Sequence, residues 1–111
     1  MPITSMPKWI LLVLCEIDAE VEDDWNRWYD EEHLPAALAC PGVIHGARYK
    51  SDGQVSLTDH GERERRDTVA YTTLYEIEGP EVLETQEFQA MAGWYQFTGR
   101  IRARTQVFRQ M

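Results

Sequence analysis

Residues 21–35 read Val21-Glu22-Asp23-Asp24-Trp25-Asn26-Arg27-Trp28-Tyr29-Asp30-Glu31-Glu32-His33-Leu34-Pro35. Val21, Trp25, Trp28, Tyr29, Glu32 and His33 follow one another at helical spacing, so they share one face of a helix. Glu20, Glu22, Asp23 and Asp24 load the first turn with acids, which suits the positive end of a helix dipole. Pro35 disfavours helical backbone at Leu34. The helix is therefore expected to end or kink there, with Pro35 opening a short further turn through Ala39. Pro41-Gly42 then breaks the chain.

On the N-terminal side, Lys8 to Ile17 is apolar on both faces and β-rich, the pattern of a central strand. On the C-terminal side, Val43 to Lys50 reads as a strand with Val43, His45, Ala47 and Tyr49 on one face. Ser51 to Arg66 is polar and carries Gly53, Gly61 and a Glu-Arg-Glu-Arg-Arg run, a solvated loop or hairpin. A third strand is expected from about Thr68 to Ile77, with Val69, Tyr71, Thr73, Tyr75 and Ile77 on one face. Gly79-Pro80 opens a second helix whose apolar stripe includes Phe88, Met91, Ala92 and Tyr95. Ile101 to Phe108 supplies a closing strand.

The order β-α-β-β-α-β predicts an α+β, ferredoxin-like sandwich in one domain over residues 1–111. Its four-stranded antiparallel sheet would carry helices on one face only. Several strands look apolar on both faces, so a homodimer covering the other face is expected.

A length of 111 residues excludes a two-domain enzyme, and 43% apolar with 11% aromatic residues excludes intrinsic disorder. Nineteen acids against 11 bases give a net charge of −8, which argues against a nucleic-acid partner. Cys15 and Cys40 are too few for a disulfide scaffold, and no CxxC or Cys/His ladder occurs, so a structural zinc site is not expected. No Gly-rich phosphate loop, GxSxG elbow or HExxH occurs, and no cofactor is expected. Trp9 to Cys15 is too short to span a bilayer, and acids follow it where a signal-peptide cleavage site would lie. The expectation is a cytoplasmic protein with no membrane partner.

The Trp28-Tyr29-x-x-x-His33-x-Pro35 pattern, with Pro41-Gly42 and Arg48-Tyr49 after it, resembles the EthD-like members of the dimeric α+β barrel superfamily. The resemblance covers the first half of the chain well and extends to the rest through strand order. It implies the barrel-forming dimer but no single chemistry. The superfamily includes polyketide cyclases, cofactor-free monooxygenases, muconolactone isomerases and lyases, and haem-handling proteins.

The site must therefore be argued from residues. His33 leads as general acid or base. The helix C-terminus and Glu32 favour its charged form, while burial among aromatic rings favours the neutral one. The competing role is structural, with the ring tying down the turn before Pro35. Tyr29, one turn earlier, could donate to a developing oxyanion or simply pack. Glu32 could orient the imidazole, and Trp25 and Trp28 are core or pocket wall. His45 and Tyr49 share a strand face that could look into the same cavity as His33. Tyr71 and Tyr75 would line the pocket from the sheet, and Trp94 with Tyr95 would form a lid. His60 falls in the polar loop and reads as solvated. Arg100, Arg102, Arg104 and Arg109 read as partners for the acids between Glu16 and Glu32, across a dimer or between neighbouring elements, or as a clamp for a carboxylate or phenolate substrate.

These residues point first to a small cofactor-independent enzyme of lyase, isomerase or cyclase type. Its substrate would be an aromatic or otherwise apolar metabolite. The alternatives are a cofactor-free monooxygenase, a haem-binding or haem-degrading protein with His33 or His45 as axial ligand, and a non-catalytic small-ligand-binding dimer.

Overall fold

A computed structural model of the protein describes residues 6–67 and 70–111. Strand β1 (Trp9–Ile17) occupies the sheet interior, as its two apolar faces require. It pairs antiparallel with β5 (Tyr71–Ile77) on one side and with β6 (Ile101–Arg109) on the other. Strand β2 (Val43–Lys50) pairs antiparallel with β5, so the sheet order is β2-β5-β1-β6. With helices on one side of this sheet, the architecture is the α+β ferredoxin-like fold.

The polar stretch after β2 is a hairpin, β3 (Gln54–Asp59) and β4 (Glu62–Asp67), which forms a separate two-stranded sheet. Its turn is His60-Gly61, with φ of 50° and 82°, the left-handed pair that a two-residue hairpin needs. Thr68 and Val69, expected within the third strand, lie outside the described residues.

The first helix does not stop before Pro35. Helix α1 (Glu22–Trp28) runs into a π turn over Tyr29–His33 and straight on into α2 (Leu34–Leu38). Within the π turn the Leu34 N–H bonds back five residues to the Tyr29 carbonyl. Pro35 falls in the first turn of α2, where the absent N–H costs little. The widened turn therefore absorbs the proline that the sequence pattern reads as a terminator.

The second helix is shorter than expected. Pro80–Glu84 is a 3₁₀ turn, and α3 (Gln86–Met91) begins afresh after Thr85. Thr85 is extended, and its hydroxyl accepts the Phe88 N–H at 3.2 Å, a side-chain N-cap.

The face expected for β2 is also corrected. A β-bulge between Val43 and His45 inserts one residue opposite β5. Val43 pairs with Ile77 on the helix side, but beyond the bulge Gly46, Arg48 and Lys50 take that side, across from Tyr75, Thr73 and Tyr71. His45, Ala47 and Tyr49 are turned to the opposite face.

Between sheet and helices, Leu11, Val13 and Cys15 of β1 pack with Tyr75 and Ile77 of β5 against Trp25, Trp28, Tyr29 and Ala37. Burying each leucine or aromatic is worth roughly 1.5–3 kcal/mol, so this layer holds the helix on the sheet. The other sheet face is open. It presents Ile10, Leu12 and Leu14 flanked by Leu74, Ala47, Tyr49 and Phe108, with Leu14 42%, Tyr49 56% and Phe108 40% exposed. Among the described residues no helix is long and apolar enough to cross a membrane.

Candidate active site

The π turn brings together residues that an α-helix would keep apart. Trp28 and His33 are five apart, a spacing that diverges on an α-helix and superposes across an i→i+5 turn. Their rings stack with centroids 4.5 Å apart and planes at 19°. Tyr29 stands edge-on to His33 at 4.9 Å and 86°, and Trp94 closes the third side at 5.3 Å.

His33 is buried, and among the described residues nothing hydrogen-bonds its imidazole. Burial drives its pKa down to about 4, with the positive charge of Arg48 adding to the effect. The ring is therefore neutral at physiological pH, with a nitrogen lone pair that no protein donor occupies.

His33 and Met91 together border two cavities. The outer cleft, about 470 Å³, is open to solvent and is completed by Trp28, Glu32, Tyr95 and Gln96. The inner chamber, about 150 Å³ and more enclosed, is walled by Leu11, Val13, Ala37 and Phe88 and also bordered by Tyr29 and Tyr75. Thr73 Oγ1 donates to the Tyr29 hydroxyl at 2.8 Å, and the Tyr75 phenol is coupled to it electrostatically. Accepting from Thr73, Tyr29 keeps its own proton to donate. Burial raises the pKa of both phenols, so both stay protonated. One unprotonated base and one phenolic donor thus face the same space.

Arg48, swung to the helix side by the bulge, supports this arrangement from below. Its guanidinium lies 4.3 Å from the Tyr29 ring centre and 5.0 Å from that of Trp25. It bonds Asp30 Oδ1 and Asn26 Oδ1, each at 2.7 Å, and its side chain is only 11% exposed. Gly46, on the same side, leaves room for Tyr75, because a Cβ there would come within 2.6 Å of the ring.

The sequence-predicted residues divide into three groups. His33, Tyr29, Trp28, Glu32, Tyr75 and Trp94 border the two cavities, with Glu32 exposed at the cleft and not bonded to the imidazole. Trp25 and Tyr71 are core. Trp25 is fully buried, and the Tyr71 hydroxyl accepts from Asn26 Nδ2 at 3.1 Å and donates to the Glu22 carboxylate. His45 and Tyr49 lie on the open sheet face, separated from His33 by the sheet itself. The two histidines named for haem ligation therefore do not share a site.

Among the described residues, two of the four C-terminal arginines pair with acids within the chain, while Arg104 bonds Gln106 and Arg109 lies over the Trp9 ring. Arg100 bonds Asp18 at 2.8 Å and Glu20 at 2.9 Å, while Arg102 reaches Glu16 at 3.5 Å. Among the described residues no cluster of three or more metal-ligating side chains occurs.

Sequence reading missed Arg48, Met91 and Thr105 as site components. Only the Arg48-Tyr49 pair offered a signal, since a bulge is not written in residue types. Tyr95 adds a backbone feature. Its φ is 49°, unusual for a tyrosine, and its hydroxyl is anchored on the Ala90 carbonyl at 3.1 Å beside the cleft.

Solved structures with the same architecture are known. HapK from Hahella chejuensis superposes with a TM-score of 0.59 at 13% identity, over 93% of this chain and 92% of that one. An ethyl tert-butyl ether d (EthD) family protein from Bacillus halodurans gives 0.54 at 14% identity, over 93% and 99%. SnoaB from Streptomyces nogalater, a cofactor-independent oxygenase, gives 0.52 at 8% identity, over 93% of each chain. This chain shares their fold. At such identities the likeness is one of architecture, and the chemistry rests on the site itself. No protein-family profile and no curated protein sequence matches the chain.

Proposed function

We propose that the protein is a small cofactor-independent enzyme of EthD-like type in which His33 takes a proton from a small, largely apolar substrate. The observation that carries this reading is the buried His33 imidazole with no protein partner, held neutral between two cavities and beside the Tyr29 phenol. A structural histidine would be hydrogen-bonded to the fold, whereas among the described residues the His33 nitrogens are neither bonded to it nor sealed from the cavities.

In the proposed step an imidazole nitrogen accepts the proton of an acidified C–H or O–H. The electron pair left on the substrate delocalises onto its oxygen, where the Tyr29 O–H donates to it. The imidazolium and the new anion then stabilise each other inside a site of low polarity. Return of the proton at another atom gives isomerisation, while expulsion of a leaving group gives elimination or cyclisation. An imidazole with so low a proton affinity suits substrates whose proton is already acidic, such as phenols and carbonyl-flanked carbons.

A second outcome for the same anion is supported by the apolar walls of the inner chamber and by the shared fold of SnoaB. There the anion reduces dioxygen to a carbon-bound hydroperoxide, which loses water and leaves a carbonyl. Oxygen uptake matched to product separates the two outcomes, since the non-oxidative route consumes none.

His33→Ala tests the common step. Turnover is expected to fall by about 10²–10⁴-fold with the fold intact, and His33→Gln should stay equally inactive. Full activity in folded His33→Ala, or its recovery in His33→Gln, overturns the proposal.

The open face formed by Ile10, Leu12, Leu14, Leu74 and Phe108 supports a homodimer in which a second copy covers it.

A further inference from the structure

The inner chamber has a volume of about 150 Å³. An apolar cavity of about that size holds one benzene ring and stays dry when empty. Its walls, Leu11, Val13, Ala37 and Phe88, are apolar, whereas Tyr29 and Tyr75 bring their hydroxyls to one side. Tyr29 accepts from Thr73 and has its own proton to give, so a ligand oxygen there would be bound as an acceptor. Among the described residues no lysine or arginine borders the chamber, and nearby Arg48 is committed to Asp30 and Asn26 and stacks on the Tyr29 ring. A carboxylate placed in the chamber would lose its water without gaining a counter-charge.

We infer that the inner chamber is a subsite for one six-membered aromatic ring bearing an uncharged oxygen, a phenol-like head group. The remainder of the substrate lies in the outer cleft, and His33 meets it at the junction. This deepens the function proposed above, resting on its assignment of His33 and Tyr29 to one site, and names the part of the substrate that enters first.

The test uses phenol, toluene and benzoate as probes of the wild-type protein, followed by amide NMR shifts at Ala92 and Gly93, which border the chamber. Phenol is expected to saturate with Kd on the order of 1 mM, the range of so small a ligand. Toluene should bind roughly 3–10-fold more weakly, the worth of one hydrogen bond, and benzoate should bind more weakly still. Tyr29→Phe should remove the preference for phenol over toluene. Thr105→Leu, at an exposed position bordering the chamber, should weaken both without touching the core. Should Tyr29→Phe fail to fold, Thr105→Leu and the ranking of the three probes still decide.

Equal binding of phenol and toluene overturns the oxygen site, and so does tightest binding of benzoate. Absence of saturable binding, or indifference to Thr105→Leu, overturns the ring subsite. These readouts need no turnover. The ring subsite can fail while His33→Ala still abolishes activity, and the His33 assignment can fail while phenol still binds.

Discussion

Arg48 and Tyr29 form a buried cation–ring pair, the guanidinium carbon 4.3 Å from the ring centre, and Tyr29 in turn stands edge-on to His33 at 4.9 Å. A permanent charge beneath the phenol favours any negative charge that develops at its hydroxyl and opposes positive charge on the imidazole. Removing that charge while keeping side-chain length should therefore raise the pKa of His33 above its present value near 4. In Arg48→Met the acid limb of the activity profile is expected to move to higher pH, and NMR titration of the His33 ring should move with it. The loss of cation–ring contact costs about 1–2 kcal/mol. An unchanged His33 titration would show that Arg48 acts on the fold alone.

The depressed pKa of His33 also makes stability depend on pH. In the unfolded chain histidine titrates at its ordinary value of 6.5, whereas in the folded protein His33 titrates near 4. Above pH 6.5 both states are neutral and the native contacts of His33 count in full. As the pH falls from 6.5 towards 4, the unfolded state takes the proton first and stability declines, by up to about 3 kcal/mol in all. Urea unfolding of wild type and His33→Leu at several pH values isolates this contribution. The difference between the two proteins should change across that window and be flat above it.

Gly46 is a packing requirement of the site. Its Cβ position lies 2.6 Å from Tyr75 Cδ1 and 3.0 Å from Leu38 Cδ2, and the Tyr75 ring is buried. Gly46→Ala should force that ring towards the inner chamber and cost about 1–3 kcal/mol, the usual penalty of overpacking. Chemical denaturation reads the cost, and a weaker interaction with phenol reads the displaced ring.

Tyr71 tests the boundary between core and site. Its hydroxyl ties Asn26 to Glu22 and borders neither the outer cleft nor the inner chamber. Tyr71→Phe is expected to lose about 1–2 kcal/mol of stability and to leave kcat and KM unchanged. A selective fall in kcat at full stability would return Tyr71 to the site.

Leu14 tests the dimer. It is 42% exposed at the centre of the open face and pairs across the sheet with Arg104. A glutamate there has a cation opposite within its own chain, so the fold tolerates it, but a second apolar face does not. Leu14→Glu should sediment as a monomer at concentrations where the wild type sediments as a dimer. A monomeric wild type would remove the proposed assembly.

Strand order was legible because each strand announces itself through residue type, and the central position of β1 follows from its two apolar faces. His33, Tyr29 and Trp28 were legible as neighbours for a different reason. A four-residue spacing keeps Tyr29 beside His33 whether the turn is α or π, and one helix face holds Trp28 nearby. The stacking of His33 on Trp28 was not legible, because the π turn arises from a backbone contest around Pro35 rather than from periodicity. Arg48 was hidden for a similar cause. Strict alternation from Val43 sends it outward, and only the extra residue before Gly46 sends it in. The division between cavity-lining Tyr75 and core Tyr71, two residues apart on one strand face, depends on where α1 and the Trp94 segment lie above them. No local pattern encodes that placement.

The bulge in β2 makes this strand a two-position selector governed by register. Deleting Ile44 would remove the extra residue and the bulge together and leave Arg48 on the helix side, whereas losing the bulge with every residue kept would send Arg48 to the open face and bring the side chains of His45 and Tyr49 beneath the helix. A one-residue slip of register would thus replace a cation with an imidazole and a phenol behind the reacting groups, with no substitution anywhere. For proteins that share this fold, aligning β2 by residue identity without first locating the bulge assigns its side chains to the wrong side of the sheet.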